Sequence, residues 1–380
     1  MSGTSFGRVP LTQRAWKLYL GAGIVAVLAY YFVPAVKSNG VLFNIIGLSA
    51  SLMVLLGVRL HQPKTRAAWY LFAASLFLFV CGDLFYYGYP LLFQTDVPFP
   101  SAGDFFYLSV YPVAVAGLLL LVHRRNPRGD RPSLIDALII TTGLALLAWV
   151  FLMAPYAHDA SLSWFHKIVL IAYPTMDVLL LAVAIRLSVD TGTRQPALYL
   201  LFMSIVSLLA TDAVFGLISL NTTYLEGGAL EAGWSAYYIL WGVAALHPSM
   251  RNLEESSPAR TVRITRPRLA LLTCASLVAP AVQAIQSIRG EPIELPVIIA
   301  GSAMLFLLVV ARMTGLLHEY ERSAGRARGL REAGGALVAA ASREEVYEAA
   351  LDSMLGLVGR GHEARLCLFA DTGELYVVAS

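Results

Sequence analysis

The sequence is short of charged residues, and this shortage narrows the class of protein that it encodes. Only 14% of its 380 residues are charged, whereas soluble proteins carry about 25%. Hydrophobic residues make up 57%, and the mean hydropathy is +0.65. This composition excludes an ordinary soluble globular enzyme and predicts a polytopic integral membrane protein.

Several cofactor-binding patterns are also missing. Cys81, Cys274 and Cys367 form no Cys-x-x-Cys pair and have no histidine neighbour, so each is predicted to be a buried apolar residue. No lysine lies in the middle of an apolar segment, which excludes a retinal Schiff base. The histidines are not paired at helical spacing, which disfavours haem or a metal, and no glycine-rich nucleotide-binding motif occurs. We therefore expect no cofactor and no metal.

What the chain does contain is a series of apolar segments, each of about 20 residues, the length that crosses a hydrocarbon core. They predict an all-α polytopic membrane bundle of about ten transmembrane helices. The predicted spans are Trp16–Val36, Val41–Leu60, Ala68–Tyr89, Asp104–Val122, Leu134–Pro155, Phe165–Leu187, Ala197–Leu220, Gly228–Leu246, Leu269–Ile288 and Leu295–Leu317.

Basic residues are unequally distributed between the loops. One set of alternate loops collects Arg59, Lys64, Arg66, Arg124, Arg125, Arg128, Arg131, Arg186, Arg194, Arg251, Arg260, Arg263, Arg266 and Arg268. The other loops contain only Lys37, Lys167 and Arg289. The positive-inside rule then predicts that both termini are cytoplasmic, as an even number of spans requires. We interpret the net charge of +3 as membrane topology and expect no nucleic acid.

Two stretches of the chain resemble each other. Tyr70–Asp83 and Tyr199–Asp212 have the same spacing from tyrosine to aspartate. Further matches pair Val58-Arg59-Leu60 with Ile185-Arg186-Leu187, Ser75 with Ser204, Gly103 with Gly233, and Tyr107 with Tyr237. They predict a four-span unit that occurs twice in parallel orientation, followed by two more spans. Chance similarity between apolar segments is the alternative.

Acidic residues at membrane depth indicate function, because burying a charge in a bilayer is costly. Asp83, Asp177 and Asp212 are the main candidates, together with Asp104 and Glu231 at the outer ends of spans four and eight. The predicted ligand-binding residues are Asp83, Asp104, Tyr107, Tyr111, Asp177, Asp212, Glu231, Trp234 and Tyr238. Such acids and aromatics form a cup for a cation, an amine or an amphiphile. Alternatively, they serve as interhelical hydrogen bonds, helix caps or an interfacial aromatic belt.

The loop before the fourth span and the segment after the tenth span give less specific predictions. Asp96–Pro100 is predicted to be either a lid over the cup or a plain connector. After the tenth span, residues 318–341 show a loose heptad pattern that predicts a helix pairing with a second copy, although its glycines suit a linker equally well. Ser342 and Glu345 form a capping box that begins another helix.

The last residues predict a hairpin. Its strands are Ala364–Ala370 and Glu374–Ala379, joined by Asp371-Thr372-Gly373. From Leu330 onward, with AALDSMLGLVG and ARLCLFADTGELYVVAS, the chain resembles the opening of a GAF domain that stops within its sheet. This resemblance implies a transmembrane sensory domain at 1–317, a connecting segment at 318–341 and an incomplete α+β GAF-like domain at 342–380.

The membrane part carries the segments GDLFYY, PFPSAGDFFYLSVYP, AYPTMDVLLL and GVAALHPSM. With them it resembles the sensory regions of actinobacterial multidomain signalling proteins. Such proteins commonly carry cyclic-di-GMP synthesis or hydrolysis domains, and less often a histidine-kinase core. Neither a GGDEF nor an EAL motif occurs in these residues, and no catalytic motif is present.

The resemblance implies a sensor in the bacterial cytoplasmic membrane that relays a stimulus to the GAF-like domain and to an output domain beyond residue 380. Its expected partners are the lipid bilayer, an unknown small ligand and a second copy of the chain. A secondary transporter and a histidine-kinase input region are the alternatives, and a scaffold that only anchors the tail is a third.

Overall fold

The computed structural model describes residues 11–33, 40–125, 131–189, 195–222, 228–254, 266–290, 292–340, 342–358, 366–369 and 375–379. The helices are α1 (Leu11–Phe32), α2 (Val41–His61), α3 (Arg66–Phe93), α4 (Ala102–Arg125), α5 (Arg131–Ala148), α6 (Ala154–His158), α7 (Trp164–Val189), α8 (Pro196–Asn221), α9 (Leu230–Leu246), α10 (Arg266–Arg289), α11 (Leu295–Ala339) and α12 (Arg343–Val358). The strands are β1 (Leu366–Phe369) and β2 (Leu375–Ala379). The chain divides into two compact units, residues 1–309 and 310–380.

Eight helical segments of the described chain are long and apolar enough to cross a membrane. They are α1 to α4, the stretch from α5 to α6, α7, α8 and the first part of α11. The predicted all-α bundle of apolar helices is confirmed at this level. The other two predicted spans are also helices, α9 with only 17 residues and α10 with 24, and neither is among the eight. The count of ten spans stays a prediction.

Six helices of the first unit form a closed circuit. In order around the circuit, α2 contacts α3, α3 contacts α4, α4 contacts α7, α7 contacts α8, α8 contacts α9, and α9 returns to α2. Outside the circuit, α1 packs on α9 and α2, while α5 packs on α7 and α10. The circuit therefore brings together helices that are distant in sequence.

Helix α9 is buried on nearly all sides, since it contacts α1, α2 and α8 and its aromatic rings reach α3. Tyr237, Tyr238 and Trp241 have no exposed surface. Small residues allow the close helix approaches that membrane bundles use. At one of them, a Cβ atom on Gly57 of α2 would meet the backbone carbonyl of Ala245.

The chain after α9 closes one end of the circuit. A 3₁₀ turn, Pro248–Asn252, lies against α8, where the amide of Ala197 donates to the hydroxyl of Ser249 over 3.0 Å. The Nε2 atom of His61 lies 2.9 Å from the carbonyl of Leu246. Burial lowers the pKa of His247, and the neighbouring His61 adds to this effect.

A second core joins α5, α10 and α11 within the first unit. Ile139, Leu146, Leu272 and Leu305 are buried together there. Between α5 and α6 the chain makes a π-helical turn, Trp149–Met153, and Pro155 follows two residues after it. Proline removes a backbone donor and is a common cause of such local irregularity.

In the second unit, the predicted connecting segment is helical through residue 339, including its glycines, as the continuation of α11. The amide of Glu345 donates to the hydroxyl of Ser342 over 3.2 Å, which confirms the predicted N-terminal cap of α12. Strands β1 and β2 pair antiparallel as predicted. The predicted turn, Asp371-Thr372-Gly373, lies outside the described residues, and the GAF assignment stays a prediction.

The contact between α2 and α9 yields a stability prediction. Replacing a helical glycine by alanine ordinarily stabilises a helix by about 0.5–1 kcal/mol. We expect Gly57→Ala to lower the melting temperature of the purified protein, because the added methyl group displaces the α9 backbone. Gly21→Ala in α1 is the matched control, since nothing lies within 4 Å of its added Cβ. Equal melting temperatures for the two variants would contradict the close approach.

Candidate ligand-binding cavity

A cavity of about 440 Å³ opens at the end of the circuit where α3 and α8 end and α2, α4 and α9 begin. Small-molecule sites typically enclose about 300–1,000 Å³. All six circuit helices contribute to its lining, as do the loop before α4 and the stretch from the π-helical turn to α6. The lining residues include Phe43, Phe79, Asp83, Tyr86, Tyr87, Phe99, Asp104, Tyr107, Tyr111, Leu152, Tyr156, Tyr173, Asp177, Asp212, Phe215 and Trp234.

Asp83 joins three helices at one side of this cavity. Its carboxylate accepts a hydrogen bond from the hydroxyl of Tyr107 on α4 over 2.9 Å and from that of Tyr238 on α9 over 2.6 Å. The residue is 3% exposed. Each carboxylate oxygen therefore has a donor from a different helix, and Asp83 links α3 to α4 and α9.

Asp177 and Asp212 lie together on the opposite half of the circuit. The hydroxyl of Tyr111 is 2.7 Å from an oxygen of Asp177 and 3.3 Å from an oxygen of Asp212. A phenol has one proton to donate, so the two carboxylates share a single donor. The indole nitrogen of Trp234 also donates to Asp212 over 2.8 Å. Unlike Asp83, both acids remain partly accessible.

Asp104 combines a capping role with a place in the cavity wall. One oxygen accepts from the amide of Ser101 over 2.6 Å, which closes the turn at the start of α4. The other oxygen accepts from the hydroxyl of Tyr173 on α7 over 2.7 Å. A carboxylate at this position also suits the positive end of the helix dipole.

The charges of the lining have one sign. Its ionisable acids are Asp83, Asp104, Asp177 and Asp212, and no lysine, arginine or histidine belongs to the described lining. The side-chain donors to these carboxylates are phenol, indole and hydroxyl groups, which are neutral. The hydrogen bonds satisfy the carboxyl oxygens, but no cationic side chain of the described lining pairs with them.

The structure brings most of the predicted site residues to this cavity. The residues in its wall are Asp83, Asp104, Tyr107, Tyr111, Asp177, Asp212 and Trp234. Tyr238 lies behind the wall as a donor to Asp83. Glu231 is absent from the described lining; it is 1% exposed and lies within the electrostatic range of Tyr31 on α1.

Sequence reasoning missed the contribution of the π-helical region. Leu152 and Tyr156 line the cavity, although α5 lies outside the circuit. Pro155 was the available signal, since a proline within an apolar helical pattern predicts a local distortion. The loop predicted to be either lid or connector also reaches the cavity, through Val97, Pro98 and Phe99.

A scan against protein-family models and searches of curated proteins and of solved structures found no match. The described residues contain no group of three or more histidine, cysteine or acidic side chains placed to hold a metal ion.

The Asp83 cluster yields a second prediction. Hydrogen bonds to charged groups contribute about 1.5–3 kcal/mol in soluble proteins, and those within membrane bundles contribute less, about 0.6 kcal/mol on average. We expect Tyr238→Phe to lower the free energy of unfolding by about 1 kcal/mol in an SDS titration from mixed micelles. Tyr70→Phe is the control, because Tyr70 is 50% exposed. An equal effect of both substitutions would show that the hydrogen bond to Asp83 adds no stability.

Proposed function

We propose that the chain is the input module of a membrane sensor, in which occupancy of the cavity changes helix packing and thereby an effector beyond the described helices. The observation that carries this proposal is the cavity itself, because hydrogen bonds to its acidic residues join five of the six circuit helices, α3, α4, α7, α8 and α9. A ligand that binds one packing arrangement more tightly than another shifts the population toward the first.

The proposed orientation places the cavity at the outer face of the bacterial cytoplasmic membrane and both termini in the cytoplasm. The described basic residues Arg59, Lys64, Arg66, Arg124, Arg125, Arg186 and Arg251 belong to the end of the circuit opposite the cavity. Lys167 is on the cavity side, where its ammonium donates to the carbonyl of Ala157. The positive-inside rule favours this orientation.

A physical connection from the cavity to the exit helix supports sensing. Leu152 lines the cavity, and two residues earlier Val150 is buried with Ile298 of α11 and Val282 of α10. A ligand that shifts the π-helical turn would therefore change the packing of α11. Since α11 is one continuous helix to Ala339, it is suited to carry that change toward the tail. π-Helical turns occur often at functional sites.

The order of the circuit supports the proposed repeat. Reading along the chain, α2, α3 and α4 are consecutive neighbours, and so are α7, α8 and α9. Ser75 and Ser204, which the repeat pairs, both have no exposed surface. Asp83 and Asp212 then occupy equivalent places near the ends of α3 and α8 and face one cavity.

Transport is the second candidate, because parallel repeats and buried acids are common in transporters. Transporters typically place their sites at interrupted helices. Each circuit helix runs through the level of the cavity as a continuous helix, despite Pro112 in α4 and Pro174 in α7. This continuity favours a sensor. The proposal also includes a helix that leaves the membrane and leads into a GAF-like tail. The proposed output is cyclic-di-GMP turnover or a histidine kinase.

Signalling tests the proposal directly. The 380-residue chain is fused to an intact diguanylate cyclase domain, and cyclic-di-GMP is measured in cells. We expect Asp83→Asn combined with Asp212→Asn to change output at least about twofold at equal membrane expression, because both acids shape the cavity. Asp159→Asn is the control: this acid is exposed, and hydrogen bonds from Ser161 lower its pKa. Unchanged output from the double variant would defeat the sensing proposal.

Topology is tested independently. Reporter fusions at residue 380 and in the loop at residue 160 are expected to give cytoplasmic and external signals respectively, because the basic residues gather at the end opposite the cavity. Alkaline phosphatase and green fluorescent protein provide complementary readouts. Activity of phosphatase fused at residue 380 would overturn the orientation.

A further inference from the structure

We propose that the cavity binds an organic cation, with an ammonium group beside Asp177 and Asp212 and a hydrocarbon or aromatic body against the rest of the wall. This inference rests on the proposed function, since it names the chemical class of the ligand for the same cavity. It assigns the two acids a direct binding role and gives Asp83 and Asp104 a mainly structural one.

Charge complementarity is the first argument. Four carboxyl groups line a space with no basic side chain in its described wall. Uncompensated charge away from bulk water is costly, and an opposite charge brought into the same space relieves that cost. A cationic ligand supplies the missing charge, whereas an anionic ligand would add to the repulsion.

The aromatic wall is the second argument and separates organic cations from metal ions. The rings of Tyr111, Tyr173 and Trp234 are hydrogen-bonded to the acids and also face the cavity. Aromatic faces attract ammonium groups and shield hydrocarbon from water. The described acids form no cluster of the kind that holds a metal ion, and about 440 Å³ is far more than one metal ion fills. The wall therefore fits an ammonium group with an apolar body.

The four acids differ in their hydrogen bonds, and these differences indicate where the ammonium group binds. Asp83 has two phenol donors and is almost completely buried. Asp104 holds the turn at Ser101. Asp177 and Asp212 share the single proton of Tyr111, and the indole of Trp234 gives only Asp212 a second donor. Both acids are partly accessible. An ammonium group has several protons to donate, so it can satisfy both of these carboxylates at once.

A buried hydroxyl next to the same acids is an independent indication. Tyr237 has no exposed surface, and its hydroxyl has no hydrogen-bond partner among the described residues. It interacts electrostatically with Asp212 and Asp83, which both line the cavity. Unsatisfied buried hydroxyl groups are uncommon and call for a partner. Tyr237 is absent from the described lining, so its hydroxyl marks a polar position behind the wall and beside the two acids.

Binding to purified full-length protein tests the inference. The probes are two amines and their neutral counterparts: phenethylamine with 2-phenylethanol, and tryptamine with tryptophol. In uncharged maltoside micelles at pH 7, where no anionic lipid concentrates the amine, we expect at least one amine to bind at least about tenfold more tightly than its alcohol. Losing one partner of a desolvated charge pair costs that much or more. Alcohols that bind as tightly as the amines in both pairs, or no binding of either amine, would overturn the inference.

Substitutions locate the ammonium. Asp177→Asn and Asp212→Asn should each weaken amine binding about tenfold or more while leaving alcohol binding within about twofold. Asp159→Asn serves as the control and should change neither. The melting temperature of each variant shows whether it is folded. If one variant fails to fold, the other still decides the question, and if both do, the amine–alcohol comparison on the unmodified chain decides it.

Lipid composition separates the two sources of such an ammonium group. Nanodiscs of equal phosphatidylglycerol content are compared, with either phosphatidylethanolamine or an uncharged glycolipid as the remaining lipid, so that the surface charge that attracts the amine is the same. A free amine then binds equally well in both. A headgroup amine that occupies the cavity makes phosphatidylethanolamine a competitor and weakens the binding of the probe. Either result supports recognition of an ammonium group.

The signalling assay and the binding assay fail independently. If the amine binds but the Asp83 and Asp212 double variant leaves the output unchanged, the proposed ligand class stands and the sensing proposal is wrong. A changed output without amine binding would retain sensing and reject the organic cation.

Discussion

In this bundle, carboxylates in an apolar setting depend on aromatic hydroxyl and indole groups for hydrogen bonds. Asp83, Asp177 and Asp212 lie within or beside spanning helices, where water is scarce and each polar group needs an internal partner. Because the donors come from other helices, each acid also fixes how two or three helices are arranged. The acids that define the cavity are thus the same residues that hold its walls in register.

This double role explains why the site has no basic residue of its own in the described lining. A lysine or arginine placed beside each acid would form internal ion pairs and leave little reason for a charged ligand to enter. Phenols and indoles instead orient the carboxyl groups without adding a positive charge. They also supply the apolar faces against which a hydrocarbon body packs. The proposed ligand class follows from this choice of donors.

Much of this arrangement could be predicted from residue type and position. Acidic residues at membrane depth are rare, and their rarity indicates a functional role. The matching positions of Asp83 and Asp212 in the two similar stretches predicted that both contribute to one site. Periodicity alone could not reveal that Tyr111 bridges Asp177 and Asp212, because this contact joins three helices separated by long stretches of chain. Glu231 looked equivalent to Asp104 at a helix start, yet packing takes it out of the described cavity lining.

The helical tail shows a similar limit. Glycines at 325, 329, 334 and 335 made a linker as plausible as a helix, since each glycine weakens a helix by a fraction of a kilocalorie to about 1 kcal/mol. The structure nevertheless continues α11 to Ala339. Propensity is a sum over many residues, and the alanines, leucines and arginines between the glycines favour the helix. The π-helical turn before Pro155 was even harder to predict, because a proline indicates a helix irregularity without specifying its form.

The closed circuit has a consequence for how the chain could be divided. Its members α2, α3 and α4 all precede residue 126, whereas α7, α8 and α9 all follow residue 163. Neither fragment by itself encloses the cavity, since each provides only three of the six circuit helices. Two separately synthesised fragments would have to assemble in the bilayer before a ligand could bind. Ligand binding would therefore report whether the two fragments complement each other.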